Sequence, residues 1–203
     1  EEREVTVLFA DIRGFTQLSE ALSPTEVLTF VNAYLHVMTH VVVRHGGRLD
    51  KVMGDGMMVV FGAPLADAAH ARHALLAALE MRAALEAFNT ERAARQLPPI
   101  RVGMGLHSGR VTAGNVGCSS HKLEYTVLGD TVNLASRIEG LTKEFGVDLL
   151  VSEATLRASG LELPVRAMPE ARVKGKSTPV RTFTLEACSE LKVGGGGGLA
   201  ESG

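Results

Sequence analysis

Asp11 closes the apolar run Val5, Val7, Leu8 and Phe9, and Asp55 stands between Gly54 and Gly56 amid two further apolar runs. One aspartate beside a glycine is ordinarily a turn residue, because its side chain hydrogen-bonds the local backbone. Two of them at neighbouring strand ends differ, since paired carboxylates repel unless a cation or a proton separates them. Hard oxygen ligands of this kind suit Mg²⁺ or Mn²⁺, which bind through a few carboxylates together with substrate phosphates. Asp11 and Asp55 are therefore predicted to hold divalent metal against a phosphorylated substrate.

Further polar residues fall where a scaffold does not need them. Lys51 lies four residues before Asp55 inside an otherwise apolar strand, where a structural reading, as a salt bridge or a solvated edge, weighs evenly against a functional one. Asn133 and Arg137 are four apart, and a helix starting near Asp130 puts both on one face. An amide and a guanidinium stacked there can hold a sugar and a phosphate, or simply hydrogen-bond along the helix surface. Val173-Lys174-Gly175-Lys176 sets two lysines about a glycine, which alone is a weak sign of phosphate contact. His36 and His40 share a helix face, but no third ligand follows, so a surface role outweighs zinc binding. His107, at a strand end, is read as structural and given no catalytic role.

The elements that must position these residues alternate between strand and helix. Residues 4–10 form a buried strand. Ser23-Pro24-Thr25-Glu26 opens a helix over 24–45, with Ser23 as N-cap, Pro24 in the first turn and Glu26 completing a capping box. Residues 48–53 and 57–61 make a tight hairpin with Asp55 at its tip. A second long helix covers 66–95, strands cover 100–108 and 125–128, and a helix covers 131–145. Strands at 148–151, 165–173 and 180–185, with a short helix at 153–158, complete the chain. The order βαββαβ with C-terminal additions indicates an α+β sandwich of ferredoxin-like type, helices on one face of a mainly antiparallel sheet.

Composition narrows the classes of function. At 203 residues, 45% hydrophobic and 22% charged, the chain can bury one ordinary core. A net charge of −2 argues against a broad electrostatic grip on nucleic acid or an anionic membrane. Cys118 and Cys188 lack the spacing of metal ligands or of a disulfide framework, which points to a reducing, cytoplasmic compartment. No run approaches the apolar length of a membrane span, so no insertion by this domain is expected. Beginning at Glu1, just before a strand, the sequence reads as a domain of a larger parent with regulatory parts. Residues 1–187 are expected to form that domain, and 188–203 a flexible glycine-rich tail or linker.

One ordered set of segments unites the polar residues. Phe9-Ala-Asp-Ile-Arg-Gly-Phe-Thr, Asp50-Lys-Val-Met-Gly-Asp-Gly, Gly105-Leu-His-Ser-Gly-Arg-Val, Tyr125-Thr-Val-Leu-Gly-Asp-Thr-Val-Asn-Leu-Ala-Ser-Arg and Val173-Lys-Gly-Lys occur in sequence. Their order and spacing resemble those of class III adenylyl and guanylyl cyclase catalytic domains, of the bacterial adenylate cyclase type. The resemblance implies that Asp11 and Asp55 bind two divalent ions, Mg²⁺ or Mn²⁺, with the Ile12 carbonyl as a further ligand. It makes Lys51 and Thr126 the purine readers, Asn133 the residue that orients ribose, and Arg137 the one that stabilises the α-phosphoryl transition state. Lys174 and Lys122 would contact phosphates.

By the same resemblance the reaction is conversion of ATP to 3′,5′-cyclic AMP and pyrophosphate. Guanylyl cyclases of the family typically carry glutamate and cysteine where this chain has Lys51 and Thr126, so ATP is the expected substrate. The threonine form is similar to bacterial and bicarbonate-responsive members, which extends the expectation to bicarbonate sensitivity. Metal aspartates and purine-reading residues of one site come from different subunits in the family, which implies a homodimer with two shared sites. The rival is a catalytically silent signalling or dimerisation module on the same fold, which would be expected to lose metal or transition-state residues.

Overall fold

The structure, a computed structural model, describes residues 1–118, 121–170 and 179–186. β1 (Glu2–Ile12) alternates along its length. Leu8, Ala10 and Ile12 enter one hydrophobic cluster, and Val5 and Val7 enter another on the opposite face. A six-residue helix, α1 (Phe15–Glu20), follows and was not expected, being too short to show a helical period. α2 (Pro24–Arg44) starts at the anticipated cap, the Ser23 hydroxyl accepting from the Glu26 amide and Glu26 accepting from the Ser23 amide. By length and composition α2 could cross a bilayer, which corrects the expectation that no run approaches that length. Here it buries Phe30, Val31, Tyr34, Met38, Val41 and Val42 in the first cluster.

β2 (Arg48–Met53) and β3 (Gly56–Phe61) form the expected hairpin, Met53 pairing with Gly56 across Gly54-Asp55. Gly54, at φ +67°, occupies the first central position of that turn, where an L side chain is strained. α3 (His70–Ala94) begins later than expected. The Asp67 carboxylate accepts from the Ala69 amide at 2.8 Å and pairs with His73 at 2.7 Å, holding the preceding stretch in a turn. β4 (Val102–Cys118) and β5 (Lys122–Leu128) outrun their sequence signals, because ladder pairing from Thr112–Leu128 to Cys118–Lys122 carries both strands through polar and glycine positions.

After α4 (Asp130–Phe145) come β6 (Leu149–Ser152), α5 (Glu153–Ser159), β7 (Val165–Ala167) and β8 (Thr182–Leu185). β7 was expected to run to 173; it stops just before Met168-Pro169, and residues 171–173 are outside those described. The sheet order is β2-β3-β1-β4-β6-β8-β7 with β5 on β4, antiparallel throughout except for the parallel β4–β6 pair. The α+β, ferredoxin-like βαββαβ arrangement with C-terminal additions is thus present.

The placement of helices on one face needs correction. α2 and α3 cover the face of Leu8 and Ala10, whereas Val132 and Ala135 of α4 pack with Val5 and Val7 on the other. Glycines admit α4 there: a Cβ on Gly105 would lie 2.2 Å from the Glu139 amide nitrogen. The β4–β5 arm closes over the same face, burying Val111, Ala113 and Val127 with Met58 and Val60. Phe9 of β1 packs against the Val5–Val7 cluster, and Asp11, two residues further along β1, falls on the same face, towards α4.

Candidate active site

Asp11 and Asp55 meet because β1 and β3 are neighbours and the β2–β3 turn projects Asp55 towards the end of β1. The Ile12 amide donates to Asp55 Oδ2 at 3.2 Å. It is this amide that engages Asp55, a contact separate from the carbonyl that the resemblance offers as a ligand. Gly56 makes the approach possible, since a Cβ there would stand 3.2 Å from Asp11 Oδ1 and 3.3 Å from the Met53 carbonyl. Burial, then the hydrogen bond and charge of Asp55, push the Asp11 carboxyl up to about 7. A cation between the two acids would relieve that repulsion. That donor set fits a hard divalent ion. Among the described residues no third His, Cys, Asp or Glu completes a cluster, so substrate phosphates and water would supply the other ligands.

Three residues behind the pair escaped the sequence reading. Glu139 of α4 is half-buried; burial raises its carboxyl, partly opposed by the charge of Arg13, whose Nη1 lies 3.7 Å from Glu139 Oε1. The Tyr34 hydroxyl is buried without a hydrogen-bond partner among the described residues, and burial followed by the charges of Asp11, Asp55 and Glu139 raises it well above its ordinary value. An acid two positions beyond Arg137 on the helix was the only available signal for Glu139.

A second cluster forms where the β4–β5 arm reaches β2. Lys51 Nζ donates to Thr126 Oγ1 at 2.9 Å, which joins residues 75 apart in sequence. Thr126, 4% exposed, donates in turn to Asp50 Oδ2 at 2.7 Å. The Asp50 side chain is fully buried (0% exposed), takes an ion pair from Arg48, and lies 3.3 Å from Lys51. Arg48 also stands over the Tyr125 ring, 5.4 Å from its centroid. Sequence reasoning assigned nothing to Asp50, although adjacent charges in an apolar strand were a usable sign that one of them is paired.

Asn133 and Arg137 lie on α4, which starts at Asp130 as the shared-face reading required. Asn133 is exposed and Arg137 partly so. Neither makes a side-chain hydrogen bond or ion pair among the described residues, which leaves both available to a ligand. Lys122 begins β5, but its side chain is not among those described, and Lys174 lies outside the described residues. One chain therefore brings together two separate constellations, the acid pair and the Asp50–Lys51–Thr126 cluster, with Asn133 and Arg137 on a third element.

Residues 1–187 match the family described as the adenylate and guanylate cyclase catalytic domain. The chain is 40% identical over 183 residues to adenylate cyclase 1 of Rhizobium meliloti, covering 90% of this chain and 27% of that protein. It is 41% identical over 194 residues to the adenylate cyclase of Anabaena cylindrica, covering 91% of this chain and 37% of that one. Among solved structures, the adenylyl cyclase CyaB from P. aeruginosa superposes with a TM-score of 0.83 at 32% identity, over 91% of this chain and 94% of the other. The guanylyl cyclase Cya2 superposes with a TM-score of 0.81 at 35% identity, over 91% and 92%. Overall similarity thus leaves the choice of purine to individual residues.

Proposed function

The chain belongs to the adenylate and guanylate cyclase catalytic domain family, and from that premise we propose that it converts ATP to 3′,5′-cyclic AMP and pyrophosphate. The observation that carries the choice of ATP is the Lys51–Thr126 hydrogen bond, which pairs a cationic donor with a hydroxyl acceptor at the edge of the sheet. Adenine presents an acceptor ring nitrogen beside a donor amine, and those two groups match it. The likeness to two named adenylate cyclases supports the same reading.

In the reaction the ribose 3′-hydroxyl forms a bond to the α-phosphorus as the bond to the pyrophosphate oxygen breaks, and the hydroxyl proton is released. Asp11 and Asp55, with the Ile12 carbonyl, would hold two divalent ions, Mg²⁺ or Mn²⁺. These would lower the pKa of the attacking hydroxyl and neutralise the leaving phosphates. Lys51 donates to the ring nitrogen and Thr126 accepts from the exocyclic amine. Asn133 orients the ribose, so that the hydroxyl is held for in-line attack. Arg137 offsets the charge that grows on the α-phosphoryl oxygens. Lys122 and Lys174 are assigned to the phosphates.

Acid pair and purine readers would serve different sites of a two-fold homodimer, so each site needs both chains. The chain spans 27% and 37% of the two curated relatives, and further regulatory domains in the parent protein are proposed on that ground. The silent-module rival has no observation in its favour, since the acids and both α4 residues are present. Incubation with ATP or GTP and each metal, followed by identification of the product, tests the reading. Cyclic AMP that disappears in Asp55→Ala supports it; no cyclic nucleotide under any condition refutes it.

A further inference from the structure

We propose that Asp50 is the residue that sets purine choice, by locking the Thr126 hydroxyl so that only its acceptor face is turned to the base. The inference rests on the reading of Lys51 and Thr126 as the base-recognition pair. Asp50 itself touches no substrate and acts as a positioning residue.

A β-bulge makes the lock possible. Leu49 pairs with Val59 and Lys51 with Met58, so Asp50 is the extra residue on β2. In a regular strand Asp50 and Lys51 would point to opposite faces. The bulge re-aims one of them, and both reach the same Thr126 hydroxyl.

Hydrogen-bond inventory then fixes the direction of every proton. A hydroxyl has one donor and two acceptor positions, and an ionised carboxylate can only accept. The Thr126 proton goes to Asp50 at 2.7 Å, and one of its lone pairs takes Lys51 at 2.9 Å. What remains is a single lone pair, which accepts from the exocyclic amine of adenine. Lys51 has donors left over for the unprotonated ring nitrogen of adenine. Guanine reverses both groups, with a carbonyl in place of the amine and a protonated ring nitrogen, and meets a like-facing group at each. A threonine free to rotate could turn its proton outward and donate to guanine's carbonyl. Threonine alone is therefore ambivalent, and the buried carboxylate beneath it removes the ambivalence.

Asparagine at position 50 breaks the lock. Both oxygens of Asp50 face cations, Arg48 on one side and Lys51 with Thr126 on the other. The amide of Asp50→Asn must present its NH₂ to one side, and where that side is Thr126 the hydroxyl proton is driven outward.

The test measures the affinities of 3′-deoxy-ATP and 3′-deoxy-GTP, which lack the attacking hydroxyl, beside the ATP-to-GTP ratio of kcat/KM. In Asp50→Asn both ratios are expected to fall by about tenfold or more, the scale of one mispaired buried hydrogen bond. Thr126→Val should lower both ratios likewise, Thr126→Ser should keep them, and Asp50→Asn in the Thr126→Val background should change them by less than about twofold. Equal loss of both nucleotides with an unchanged ratio, in a folded dimeric Asp50→Asn chain, would overturn the proposal. So would ratios undiminished in Thr126→Val, which decides the matter even if Asp50→Asn fails to fold. The binding ratios speak to Asp50, whereas absence of cyclic AMP from the unaltered chain speaks against the cyclase reading.

Discussion

Asp11 is the residue whose chemistry is most exposed to experiment, because its carboxyl is pushed up to about 7 by burial and by Asp55. In an unfolded chain it titrates near its ordinary value of 3.8. A raised carboxyl contributes stability that is present at pH below 3.8 and is lost as pH rises through about 7. Metal-free protein should accordingly lose melting temperature between pH 4 and 7 more steeply than Asp11→Asn, as followed by thermal unfolding in chelator. Divalent metal at the proposed Asp11–Asp55 site would compete with that proton, so its affinity should rise with pH and level off above about 7. A titration in which Asp11→Asn and the unaltered chain share one pH profile would contradict this. At this scale the sequence was informative wherever a residue type is unusual for its place. Asp11 with Asp55 was legible there, Lys51 with Thr126 was paired only through the family resemblance, and the fold brings each pair into contact. Asp50 and Glu139 were not, because what distinguishes them is burial against partners more than 70 positions away, Thr126 for one and Asp11 with Arg13 for the other.

The elements that carry these residues are held in place by close backbone approach, above all where α4 crosses β4. Gly105→Ala would put a Cβ 2.2 Å from the Glu139 amide nitrogen and push α4 away from the sheet. A cost of about 1–3 kcal/mol in urea unfolding is expected, together with loss of activity as Asn133 and Arg137 shift. Gly140, on the same helix, is the contrasting case, because a Cβ added there would meet nothing within 4 Å. Gly140→Ala should stabilise by about 0.5–1 kcal/mol through helix propensity alone. Equal effects at the two glycines would refute the packing account. α2 offers a simpler check: Ser23→Ala removes the capping hydroxyl and should cost about 1 kcal/mol. Periodicity and capping made α2, α4 and the β2–β3 hairpin legible beforehand. The lengths of β4 and β5 were not legible, because a ladder of partners rather than an apolar pattern sustains them. The face taken by α4 was hidden for a related reason, as it depends on which glycines of β4 lie beneath the helix.

At the scale of the whole molecule, a single chain displays an acid pair, the Asp50–Lys51–Thr126 cluster and a helix carrying Asn133 and Arg137, all of which the proposed reaction requires in one place. The proposal that two chains complete each other's sites gives these separated sets a common use, and places Asp11 and Asn133 of one chain in different sites. Asp11→Ala spoils the acid pair, and Asn133→Ala removes the proposed ribose contact, so each variant should be inactive alone. In an equal mixture with free exchange, about half of the dimers are mixed, and one of the two sites in each is intact. The decisive measurement is cyclic AMP formed from ATP by that mixture, with dimer exchange verified separately by tagged chains. The expected result is recovery of about one quarter of the unaltered activity. Mixed dimers that form and make no cyclic AMP would contradict the account.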